Sequence, residues 1–136
     1  MTQSSPRDPQ NMDIVTLAES DIPPRLKEIS DPPKALSLRG TLPPEGHVML
    51  AVVGARKHTA YGKEVTNSLI RGLRGYPITI VSGLALGIDA LAHEASLEVG
   101  LPTLAVPGSG LDWDVLYPRQ HERLAHKILE AGGGLL

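Results

Sequence analysis

The chain has 136 residues, 41% of them hydrophobic and 21% charged, with a formal net charge of −2 at pH 7. That length carries one domain with a modest core, and the composition is ordinary for a globular protein. The charge excludes a globally basic nucleic-acid binder and leaves a local patch open. The absence of cysteine excludes disulfides and thiolate metal sites. No apolar run approaches the roughly 20 residues that span a bilayer. The opening "MTQSSPRDPQNMD" lacks a charged-then-apolar signal pattern, so a cytoplasmic protein away from the membrane is expected.

Charge is segregated along the chain. Between Gly46 and Ile80 stand Arg56, Lys57, Lys63, Arg71 and Arg74 against the single acid Glu64. Between Ser82 and Leu116 stand Asp89, Glu94, Glu98, Asp112 and Asp114 with no lysine or arginine. The first block suits a polyanion. The second repels one unless backbone amides do the holding.

In chain order, residues 1–11 read as a polar, disordered tail. Residues 12–46 hold six of the twelve prolines, which forbid long helices there. "RLKEI" reads as one helical turn and "KALSLRG" as a short strand, so residues 1–46 form a tail and an irregular lead-in. From residue 47 the pattern becomes regular. "HVMLAVV" reads as a strand buried on both faces. Thr59 caps a helix in which Val65, Leu69, Ile70 and Leu73 form the inward stripe, and Gly75 and Pro77 end it. "ITIV" is a second buried strand. A helix from Ile88 to Val99 turns Leu91, Ala92 and Ala95 inward and stops at Gly100. "PTLAVPG" is a third strand, with Pro107 at its end, where no ladder bond need be lost. A long loop then leads to a helix over about 119–131, with Leu124 and Ile128 on one face. "GGGLL" reads as a strand just beginning.

This alternation predicts a Rossmann-like, three-layer α/β domain over residues 47–136, with a mostly parallel sheet. The apolar ending inside a strand predicts a domain incomplete at its C-terminus. The loops after the three strands gather at the carboxyl edge of such a sheet, where doubly wound folds bind ligands. They read "GARKHTAYG", "SGLALGID" and "PGSGLDWDVLYP", each with glycine where the chain turns sharply or approaches something closely.

In the first loop, Gly54 frees backbone amides and Arg56 offers a phosphate fork beside a helix N-terminus. In the second, Ser82, Gly83 and Gly87 precede a helix with Asp89 in its first turn. His93 lies four residues on, on the same helix face. Asp89 is expected to cap free amides and orient His93. A catalytic pair lacks a nucleophile unless Ser82 is near. One histidine with carboxylates is weak metal evidence, so no metal or other cofactor is expected. In the third loop, Gly108 and Ser109 start a dinucleotide-like pattern that breaks at Trp113. Trp113 and Tyr117 either stack on a base or pin the loop.

Together these motifs resemble the DNA-processing family called DprA or Smf. That family shows a Gly-Ser-Arg turn followed by Thr-x-Tyr-Gly, matched by "GARKHTAYG". It shows Ser-Gly-x-Ala-x-Gly-Ile-Asp-x-x-Ala-His, matched in full by "SGLALGIDALAH". It then shows a Gly-Ser-Gly-x-Asp loop running to Tyr-Pro, matched by "GSGLDWDVLYP". The likeness covers roughly residues 22–136. It implies a non-enzymatic domain that binds single-stranded DNA, helps load the RecA recombinase during natural transformation, and forms a homodimer. Carried over, Arg56 contacts DNA phosphate, and Gly54, Ser82, Gly83, Gly108 and Ser109 line the same pocket, with Gly87, Asp89 and His93 structural. Lys57 and Lys63 join on the local charge. The sequence departs from the family at Ala55, which lacks a serine hydroxyl, at His58, where proline is common, and at His121, where asparagine is common. The family's Ser-Glu-x-Pro-x-Gly segment lies beyond Leu136. Two other classes remain open. One is a nucleotide-hydrolysing, phosphoribohydrolase-like enzyme, with Asp112 or Asp114 replacing its glutamate. The other is a nucleotide-sensing scaffold whose partner is another protein.

Overall fold

The structure, a computed structural model, describes residues 8–136. Residues 1–7 of the expected tail lie outside the described residues. Pro9–Asn11 form a short 3-10 turn whose Gln10 amide is capped by the Asp8 carboxylate.

Among the described residues six strands form one sheet: β1 (Ile14–Leu17), β2 (Leu36–Gly40), β3 (Val48–Ala51), β4 (Ile78–Ser82), β5 (Thr103–Ala105) and β6 (Gly134–Leu135). Their order is β1-β2-β6-β5-β4-β3. The last four run parallel to one another, and β2 pairs antiparallel with both β1 and β6. The parallel strands are joined by α1 (Ala60–Gly72), α2 (Ile88–Val99) and α3 (Glu122–Glu130). Each crossover steps one strand in the same direction, so right-handed connections leave the helices on one face. Accordingly α1 packs on α2, and α2 on α3.

The helices begin and end where side-chain chemistry dictates. Thr59 accepts from the Gly62 amide and starts α1. Gly100, at φ +75°, takes the left-handed conformation that closes α2. The third helix is shorter than expected, because Arg119–His121 form a 3-10 turn before it.

Ile70, Ile80, Ala92, Ala95 and Leu101 bury one core cluster between α1, α2 and β4. Leu124, Ile128 and Leu129 of α3 meet Ala105, Leu116 and Leu135 in a second.

Three expectations change. The lead-in contributes β1 and β2 to the sheet itself, and the expected turn at "RLKEI" is the 3-10 segment Pro24–Glu28. β1 escaped notice because four residues with Thr16 inside carry little pattern, and only pairing with β2 makes them a strand. β3 is not buried on both faces. Among the described residues it pairs only with β4 and forms the sheet edge, leaving Val48, Met49 and Leu50 exposed. A continuous apolar run cannot distinguish an interior strand from an edge. On α1 the inward side is carried by Ile70 and Thr66, while Leu69 is 66% exposed. α1 sits over that edge, so only a narrow stripe of it reaches α2 and the sheet.

Candidate nucleic-acid interface

The three glycine loops meet at the carboxyl edge of β3, β4 and β5, held by backbone contacts. Gly87, at φ +80°, packs directly against the carbonyls of Ala55 and Arg56. The Ile88 amide donates to the Ala55 carbonyl at 3.1 Å. A β-carbon on Gly54 would lie 2.7 Å from Ile88 Cβ, so only glycine allows the first loop to seat on α2. The Val106 amide donates to the Ser82 carbonyl at 2.8 Å, joining the second loop to the third. His121 Nδ1 donates to the Leu84 carbonyl at 2.6 Å, tying in the turn before α3. Leu84 is fully buried at φ +60°, a left-handed conformation costly for a branched side chain.

The loops differ in what they leave free. In the second, the Gly83 amide donates to Asp89 Oδ2 at 3.1 Å, and the Ala90 and Leu91 amides go to the Ala85 and Gly87 carbonyls. Asp89 thus reaches back to the loop before its helix rather than capping the helix amides. Ser82 is 2% exposed, and its hydroxyl donates to the Val52 carbonyl, bracing β3 against β4. The Gly83, Ile88, Ala90 and Leu91 amides are therefore occupied by the protein itself.

The first loop has the longer run of open amides. Val52 donates to Val81, and the next backbone bond is the Lys63 amide inside α1, with Gly62 capped by Thr59. Across 53–61 no backbone amide has an acceptor among the described residues. These amides sit at the positive end of a 13-residue helix. Arg56, Lys57 and Lys63 are exposed and form no ion pair among the described residues, whereas Arg71 is drawn to Glu98 at 3.5 Å.

In the third loop, Gly108 is exposed. Ser109 Oγ accepts from the Tyr117 amide at 3.0 Å and donates to the Gly110 carbonyl, which leaves its own amide as the available donor. Trp113 pins the loop. Its ring stacks on His126 at 4.1 Å between centroids and lies 4.3 Å from the Arg39 guanidinium carbon. Tyr117 is 66% exposed and is the aromatic on this loop still free to meet a base.

His93 is sealed inside. Its Nδ1 donates to Thr103 Oγ1 at 2.7 Å, and that hydroxyl donates to the Ile80 carbonyl. Thr103, rather than Asp89, therefore orients the ring. Burial pushes the imidazole down to about 4, with the Asp89 charge and the Ser82 carbonyl opposing and His121 adding to the fall. A buried, neutral histidine of this kind is a core group.

A concavity of about 860 Å³ lies elsewhere, against Asp8, Asp13 and Glu130 among others. Its acidic lining has the wrong sign for a polyanion.

The structure adds two features that sequence reasoning missed. Arg119 is exposed in the turn that His121 ties to Leu84, which puts a further cation at the same edge. The basic block counted from the sequence ends before it. The Arg39–Trp113 contact joins a lead-in strand to the third loop across more than 70 positions, and no local pattern signals it.

Comparison with known proteins agrees with this geometry. The profile of the family DNA recombination-mediator protein A matches residues 13–136. The chain is 43% identical to Protein Smf of Escherichia coli over 114 residues, which is 84% of this chain and 30% of that protein. It is 43% identical to the DNA processing protein DprA of Streptococcus pneumoniae over 103 residues, 76% of this chain and 36% of that protein. The chain therefore spans about a third of the length of these relatives. An X-ray structure of the S. pneumoniae DprA superposes with a TM-score of 0.77 at 34% identity, over 95% of this chain and 44% of that one. A Helicobacter pylori DNA processing protein A, described as having a unique single-stranded DNA binding mode, superposes with a TM-score of 0.75 at 30% identity, over 93% of this chain and 55% of that one. With the profile covering nearly the whole chain and the fold shared along its length, this protein belongs to the DNA recombination-mediator protein A family, the DprA/Smf proteins of DNA processing.

Proposed function

We propose that the chain binds single-stranded DNA through its phosphates, with the first glycine loop as the principal contact. The observation that carries this reading is the row of amides over 53–61 without protein acceptors, at the α1 N-terminus, beside the unpaired Arg56. Arg56 supplies a bidentate fork and Lys57 and Lys63 supply point charges. Gly54 holds the loop close to α2, and the exposed Gly108 and the Ser109 amide extend the track. Ser82 and Gly83 shape the floor of the site, and Gly87, Asp89 and His93 hold its frame. Few aromatics are available, so phosphate contacts dominate over stacking.

On the same reading the protein works in the cytoplasm as a homodimer. It delivers its DNA to the RecA recombinase during transformation, without catalysis of its own. A hydrolase reading draws on Asp112 or Asp114, both exposed, and gains nothing from Asp89 and His93, which are buried and committed to Gly83 and Thr103. None of the described residues forms a helix long and apolar enough to cross a membrane.

The test is fluorescence anisotropy of labelled oligothymidine across a salt series. Binding weakens with salt, and Arg56→Ala lowers the log–log salt slope by about 0.7, one phosphate on a single strand. A slope unchanged by the substitution removes Arg56 from the interface. Pull-down with RecA and sedimentation of the chain read the two protein partners.

A further inference from the structure

Arg39 stands on β2, opposite Leu135 of β6 and Ile14 of β1, on the sheet face that carries the helices. It is 4% exposed. Its guanidinium lies on the Trp113 ring, and its Nη2 is 3.8 Å from Asp112 Oδ1, on a side chain 77% exposed. Trp113 in turn stacks on His126 of α3, whose Nε2 is 3.2 Å from Gln10 Nε2 and 3.7 Å from Glu122. The column β2–third loop–α3 therefore clamps the loop at two adjacent residues, Asp112 and Trp113. Gly108 and Ser109 stand four and three residues before the clamp.

This column is a poor way to stabilise a fold. Arg39 Nε, Arg39 Nη1 and Trp113 Nε1 are buried with no acceptor among the described residues. An apolar side chain in place of a buried, incompletely paired cation is often neutral or stabilising. What arginine supplies is a flat cationic plate on the Trp113 ring with its charge 3.8 Å from Asp112, which biases both the tilt of Trp113 and the approach of Asp112.

We propose that Arg39 is a positioning residue for the DNA-binding edge: it sets the third glycine loop so that Gly108 and Ser109 present their amides at the same sheet edge as the first loop. This rests on the reading of that edge as a phosphate track. Arg39 itself, buried behind Trp113, touches no DNA.

The experiment compares wild type, Arg39→Lys, Arg39→Met, Asp112→Asn and Asp114→Asn by oligothymidine anisotropy over a salt series, and by acrylamide quenching of Trp113 without DNA. Trp113 is the sole tryptophan. Arg39→Lys keeps the charge and loses the plate. It should weaken binding roughly threefold to tenfold, in the lower part of the span of a coupling between contacting residues, with the salt slope parallel to wild type. Quenching should rise. A slope that falls by about 0.7 when the charge itself is removed, in Arg39→Met, makes Arg39 a direct phosphate contact and overturns the proposal. Unchanged affinity and quenching also overturn it.

The aspartates provide the check that a folding defect cannot imitate, because both are exposed. Removing an acid from a DNA-binding loop tightens binding by simple electrostatics, and Asp114→Asn should do so. Asp112→Asn should fail to tighten, or should weaken binding, because it releases one side of the clamp. Equal tightening by both overturns the proposal. If wild type binds no oligothymidine, the DNA reading of the edge fails. Quenching then decides the clamp alone: a rise in Arg39→Lys supports it, and no rise overturns it.

Discussion

Gly87 lies against the carbonyl of Ala55 so closely that no β-carbon fits between them. This contact seats the first glycine loop on the start of α2, and the Ile88 amide completes it. The position of Arg56, next in the chain, thus depends on a glycine more than 30 residues away.

Gly87→Ala combines a positive φ of +80° with overpacking against backbone. The expected loss is about 2–5 kcal/mol, the sum of a left-handed penalty and core strain. Chemical denaturation measures it. Folded variant at low temperature should bind oligothymidine more weakly than wild type, since the backbone that yields belongs to Ala55 and Arg56. Wild-type stability would show that the loop is not seated as described.

Asp89 accepts from the Gly83 amide from within the first turn of α2. Asp89→Ala leaves that part-buried donor without its acceptor and should cost about 1–2 kcal/mol. Asp89→Asn retains an acceptor of the same shape and should recover most of the loss. Equal destabilisation by both would mean the charge, rather than the hydrogen bond, carries the contact.

His93 gives a pH dependence of definite sign. Its folded value, about 4, lies below the ordinary 6.5. Between these values the unfolded chain binds the proton and the folded chain does not, so stability falls as pH falls. The contribution is fully present above about 6.5 and lost as pH passes down through about 4, in total about 3 kcal/mol. Denaturation of wild type and His93→Gln over this range isolates it. The difference between the two should shrink on acidification. A constant difference would place the imidazole in contact with solvent.

Neighbouring residues on α1 should respond in opposite ways. Ile70 is 1% exposed and Leu69 66%. Ile70→Ala should cost about 2–5 kcal/mol, while Leu69→Ala should stay within about 0.5 kcal/mol. Comparable losses would show that α1 is rotated, with Leu69 in the core.

The sequence by itself determined the local elements. Thr59 and Gly100 mark helix ends through hydrogen-bonding and φ preferences that need no tertiary partner, and α2 falls on its expected residues. The alternation of apolar strands with capped helices dictated parallel pairing. Glycine at the three strand ends marked the edge proposed to bind, because the need for close backbone approach is written in the residue type. Only the tertiary structure decided what depends on a distant neighbour. It made the apolar β3 an exposed edge, drew β1 and β2 into the sheet, and turned Leu69 outward. It also engaged the Gly83 amide through Asp89 and the Ile88 amide through Ala55 while leaving those of the first loop open. Burial and hydrogen-bond occupancy belong to pairs of residues, and periodicity along one chain segment carries no information about the segment that packs against it.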